Sequence, residues 1–85
     1  MDEIEEIILR LKIIQLQAQA ALCEMERITW NAKIDDRNTD EDERYIASIR
    51  RDRSIVEWGE IMTELQESRD RQARELDLKP RAELN

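Results

Sequence analysis

An 85-residue chain with 41% charged and 40% hydrophobic residues, one Gly, one Pro, no Phe and no His has the make-up of long helices, and points away from loop-rich and all-β folds. So short a chain has a poor ratio of buried to exposed surface, and without a disulfide or histidine-based metal framework, oligomerisation is the remaining device for stabilising its core. The formal net charge of -7 disfavours nucleic acid as a partner, because affinity for phosphates comes from Lys and Arg displacing counterions.

A first helix is expected from about Asp2 to about Lys33. Acids in its first turn suit the positive end of the helix dipole, and Glu6 precedes Arg10 by four residues, the favourable order for an exposed ion pair. Two apolar stripes run along opposite sides of this helix. One is Ile4, Ile7, Leu11, Ile14, Ala18, Ala21, Met25, Ile28 and Ala32, an unbroken alternation of three- and four-residue steps; the other is Leu9, Ile13, Leu16, Ala20, Cys23, Trp30 and Ile34. A helix apolar on two sides needs two neighbours, and this chain can supply only one of them. The opening acids are the reverse of a basic leader, so no signal sequence is expected, and no apolar run reaches the roughly 20 residues that a membrane span needs.

From Ile34 to Asn38 the periodicity lapses into residues that favour turns, giving a turn over about 34–39. A second helix is expected over about 40–76, with Thr39 as N-cap and Asp42 in the place of a capping-box acid. Residues 1–78 then form one helical hairpin, and 79–85, beginning just before Pro80, form a C-terminal tail. The fold class is an all-α, antiparallel two-helix hairpin assembling into a four-helix bundle or larger oligomer.

Folding the hairpin about residues 36 and 37 brings Ile28 near Tyr45, Met25 near Ile49 and Ala18 near Val56, so the seam is expected along Ala18, Ala21, Met25, Ile28, Tyr45, Ile49 and Val56. The tightest packing is expected at Ala18 and Ala21. Further down, the same line reaches Gly59, Thr63 and Gln66, poor partners for large aliphatics. The intermolecular interface is therefore expected at Ile4, Ile7, Ile8, Leu9, Leu11, Ile13, Ile14 and Leu16 of the first helix and Ile55, Trp58, Met62 and Leu65 of the second.

No catalytic set emerges. Cys23 has no histidine anywhere in the chain to activate it and reads as a small buried residue. Trp30 and Trp58 read as core or interface anchors, and Arg50, Arg51 and Arg53 point in different directions around a helix and make no phosphate grip. Glu24 six residues before Trp30, the short Thr39-Asp40 turn region and Arg51-Asp52 within the second helix form a layout that, over residues 24 to 65, resembles the encapsulated ferritins, small two-helix proteins that form a di-iron site only when two subunits meet. The resemblance implies a carboxylate metal site at a subunit interface, drawn from Glu24, Glu57 and Glu60. In the ungapped register the second-helix positions fall on Ser54 and Glu57, and only a shifted one yields Glu57 and Glu60.

The expected function is that of a non-enzymatic, oligomeric helical hairpin without cofactors, a scaffold or protein-protein interaction module whose partner is another copy of itself or a different protein. An RNA-binding hairpin is disfavoured by charge. With its single cysteine the chain fits a reducing setting, the cytoplasm or a particle assembled inside a cell.

Overall fold

A computed structural model describes residues 2–77 of the chain. The expected tail at 79–85 lies outside the described residues. Two helices, α1 (Glu3–Asp35) and α2 (Glu41–Asp77), pack against each other as a hairpin, with no strand among the described residues. The rod measures 66 × 17 × 16 Å. It is only two helices thick, so any side chain off the single shared seam faces outward.

Both helices start on an aspartate. Asp2 accepts from the Glu5 backbone N–H at 2.8 Å, and Asp40 accepts from that of Glu43 at 2.7 Å, each satisfying one of the orphan donors of a first turn that is itself acidic. Asp40, not Thr39, is therefore the N-cap of α2. Thr39 is buried in the turn, where its backbone N–H donates to the Asp36 carbonyl while that of Asn38 donates to the Asp36 carboxylate at 2.9 Å, an Asx-turn.

Arg44 locks this corner. Its Nε donates to the Ile34 carbonyl at 3.0 Å, and one Nη donates to the carbonyls of Asp36 and Thr39 at 3.2 Å each. The end of α1 has no left-handed glycine to tie off its carbonyls; a guanidinium from the first turn of α2 serves instead, placing positive charge at the negative end of the α1 dipole.

The seam runs along the second α1 stripe. Leu9, Ile13, Leu16, Ala20 and Cys23 are buried, and Trp30 and Ile34 half-buried. Facing them on α2 are Ala47, Ser54, Ile61, Leu65 and Ser68, again in three- and four-residue steps once Arg51 and Trp58 are included. Leu65 is 3% exposed and packs among Leu9, Ile13 and Leu16, with Ile61 and Met62 alongside.

Bulk is matched across the rod. Away from the turn, large aliphatics meet large aliphatics; nearer the turn, Cys23 and Trp30 on α1 lie beside Ser54 on α2, and the small Ala47 is buried. Ser54 donates to the Arg50 carbonyl at 3.0 Å and lies 3.2 Å from the Glu26 carboxylate, so its buried hydroxyl is satisfied. Polar groups fasten the edges. Lys12 pairs with Glu64 at 3.1 Å, Arg51 donates to Asn31, and the Arg50 guanidinium lies 5.0 Å from the Trp30 ring centre.

This corrects the expected seam. Ala18, Ala21, Met25, Ile28, Tyr45, Ile49 and Val56 are all exposed. The corner turns later than a fold about residues 36 and 37, so Lys12 meets Glu64 rather than Ile61 or Met62, and Glu26 meets Ser54 rather than Ala47 or Ser48. The physical reason is continuity. The line through Tyr45, Ile49 and Val56 fails at Gly59 and Thr63, whereas the line through Ala47 and Leu65 offers small or apolar residues at every step but Arg51, whose guanidinium reaches the edge of the seam to Asn31 and Asp52. The alanines buried in the seam are accordingly Ala20 and Ala47, while Ala18 and Ala21 are exposed.

Candidate interaction surface

The other α1 stripe is left uncovered. Heptad positions alternate without interruption through Ile4, Ile7, Leu11, Ile14, Ala18, Ala21, Met25, Ile28 and Ala32, and every one of these residues is exposed, Leu11 at 60%. At 100° per residue the stripe lies diametrically across α1 from the Leu9–Leu16–Cys23 line. One helix therefore carries two coiled-coil seams, one closed by α2 and one open to solvent.

Two further exposed side chains, Ile8 and Leu22, flank the open stripe on one edge. Arg10, Gln17 and Glu24 flank it on the other, all exposed. On α2, Tyr45, Ile49 and Val56 form a shorter apolar patch on the side away from the seam. Monomeric soluble proteins rarely expose contiguous apolar surface of this extent.

Of the residues expected at an intermolecular interface, Leu9, Ile13, Leu16 and Leu65 are buried inside the hairpin and Met62 is half-buried against them. Ile4, Ile7, Ile8, Leu11, Ile14, Ile55 and Trp58 are exposed. Sequence reasoning missed Arg44, because its role lies in reaching back across the turn to backbone carbonyls, which no side-chain pattern signals.

Among the shallow grooves that flank the seam, two are lined by Ser54. One, of about 290 Å³, is lined by Cys23, Glu24, Arg27, Ser54, Ile55 and Trp58. The other, of about 430 Å³, is lined by Glu26, Trp30, Arg50, Arg53, Ser54 and Glu57. Glu24 and Glu57 thus belong to different grooves, Glu57 pairs with Arg53 at 3.2 Å, and Glu60 is exposed. The single chain does not gather these three carboxylates. Among the described residues no group of three or more His, Cys, Asp or Glu side chains is placed to hold a metal ion.

Cys23 is buried on the seam, and burial pushes its thiol above the usual range, with the charges of Glu57 and Glu26 adding to the rise. Both effects disfavour the thiolate, the form that attacks or ligates.

No helix among the described residues is long and apolar enough to cross a membrane. Comparison with protein-family models, curated proteins and solved structures gives no match, so any functional reading stands on this geometry.

Proposed function

We propose that this chain is a non-enzymatic helical hairpin that self-associates and works as a scaffold or protein-protein interaction module, in the cytoplasm or in a particle assembled inside a cell. The observation that carries the reading is the open heptad stripe of α1, exposed from Ile4 to Ala32 on a helix whose opposite face is already occupied. Four uninterrupted heptads span about 42 Å of helix at 1.5 Å per residue, long enough for a stable coiled-coil contact. Burying each large side chain of such a stripe removes roughly 1.5 to 3 kcal/mol of hydration penalty before the entropy of association is charged.

The acidic surface, with a net charge of -7 and arginines interleaved among the acids, fits a protein partner better than a nucleic acid. Multi-angle light scattering at low and high micromolar concentration tests the reading. An oligomer whose mass rises with concentration supports it; a stably folded, monodisperse monomer throughout refutes it.

A further inference from the structure

We propose that the open stripe of α1 is covered by a second copy of this chain, packed antiparallel about a two-fold axis close to Leu16 and Gln17. In this register Ile4 faces the partner's Ile28, Ile7 faces the partner's Met25, Leu11 faces the partner's Ala21 and Ile14 faces the partner's Ala18. The inference rests on the self-association reading and adds the identity, direction and register of the contact.

Size complementarity within the stripe points to this arrangement. Its two alanines at the middle, Ala18 and Ala21, are adjacent core positions. A parallel pair stacks like on like, Ala18 on Ala18 and then Ala21 on Ala21, leaving two thin layers in succession. An antiparallel pair slid by one heptad toward the C-terminal end sets Ala18 against Ala21 and leaves a similar void; slid by one heptad the other way it sets Ala18 against Ile7 and Ala21 against Ile4 but leaves Met25 and Ile28 with no counterpart on the partner's stripe. The register proposed sets both alanines against large aliphatics, Leu11 or Ile14, and pairs the stripe from Ile4 to Ile28 throughout, large residues with large in the outer layers.

The flanks give a second, independent match. When two heptad helices run antiparallel, each flanking edge meets its own kind across the interface, offset by two residues, or about 3 Å. On one edge Arg10 then meets the partner's Glu24, twice by symmetry, and Gln17 meets its own copy on the axis. On the other edge Ile8 meets the partner's Leu22, again twice, and Gln15 meets its own copy. Opposite charges, apolar groups and amides are each matched. Ile8 at 59% and Leu22 at 57% exposure lie off the main stripe, and this register covers them as well. In the parallel arrangement Arg10 faces the partner's Gln15 and Gln17 the partner's Leu22, with nothing matched.

α2 does not obstruct the contact, because it occupies the opposite face of α1. The dimer is a flat layer of four helices, α2–α1–α1–α2, its shared seam at the centre.

Charge exchange at the flank tests register and direction together. Arg10→Glu and Glu24→Arg each set like charges against one another twice, so each single variant should dimerise roughly tenfold more weakly at low ionic strength. Mixed in equal amounts, the two single variants should form a heterodimer of near wild-type affinity, read by native mass spectrometry with a mass tag on one chain. The double variant should recover homodimerisation. Both positions are exposed, and unchanged circular dichroism verifies that the hairpin itself is intact.

In a Cys23→Ser background, a chain carrying Leu11→Cys should form a disulfide with a chain carrying Ala21→Cys, and Ala18→Cys alone should not form one with itself. A wild-type dimer indifferent to the charge exchange, or cross-linking through Ala18→Cys alone, overturns the register and leaves self-association standing. A wild-type monomer overturns both.

Discussion

Truncating Leu65 to alanine separates the closed seam from the open one. Leu65 is 3% exposed and sits among Leu9, Ile13 and Leu16. Deleting a fully buried leucine side chain costs about 2 to 5 kcal/mol, depending on how far the site collapses. Here the rod is only 17 × 16 Å across, so the seam relaxes readily and the loss belongs at the lower end, about 2 to 3 kcal/mol. A domain of this length has some 4 to 13 kcal/mol in total, at roughly 0.05 to 0.15 kcal/mol per residue. The variant should therefore shift the urea midpoint of far-ultraviolet circular dichroism down by about 0.7 to 3 M, using a slope of order 1 to 3 kcal/mol per molar. The control is Leu11→Ala. Leu11 is 60% exposed, so the isolated hairpin should lose less than about 1 kcal/mol. Its cost should instead appear at high protein concentration, where association adds stability by mass action. Equal midpoint shifts for the two variants in dilute protein would sink the assignment of the seam to the Leu9–Leu16–Leu65 line.

The remaining predictions probe the corner, the middle of α2 and the thiol. Arg44→Ala removes three hydrogen bonds to the carbonyls of Ile34, Asp36 and Thr39, and in this largely exposed setting should cost about 1 to 2 kcal/mol by urea titration, with Arg44→Lys restoring only part. Gly59 is helical and a Cβ there meets nothing within 4 Å, so Gly59→Ala should stabilise the hairpin by about 0.5 to 1 kcal/mol; a lowered melting temperature would contradict the open surroundings. Cys23 should react with an aromatic disulfide reagent far more slowly in folded protein than in urea. Its thiol is raised in the folded state, so below the ordinary thiol range both states are protonated. As pH climbs through that range, the unfolded chain ionises first and the folded state loses stability. Cys23→Ala should flatten this alkaline loss relative to wild type, and an unchanged slope would count against the assignment.

Much of the fold was legible in residue order. The acidic first turns, the lapse of periodicity after Ile34 and an almost glycine-free composition are local signals, and local hydrogen bonding and propensity act on them directly, although the cap of α2 falls on Asp40 and not on the expected Thr39. Both stripes of α1 were legible for the same reason. The choice between them was not. On α2 the most conspicuous apolar residues near the turn, Tyr45, Ile49 and Val56, lie on the outer face, while the seam face carries Ala47, Arg51, Ser54 and Ser68, which read as ordinary surface in a hydropathy pattern. Nor does any pattern announce Arg44, whose three acceptors are backbone atoms from the end of α1 and the turn.

By itself, then, the sequence determined two long helices, a short acidic corner between them and a first helix demanding two neighbours, because these follow from capping chemistry and from the 3.6-residue period. Only the tertiary structure decided which demand the chain meets within itself. Helix pairing selects a line that stays packable over the whole length of contact rather than the line with the largest residues at one end. The Ala47–Leu65 face meets that condition where the Tyr45–Val56 face ends at Gly59 and Thr63. The better heptad stripe of α1, from Ile4 to Ala32, is thereby left facing outward.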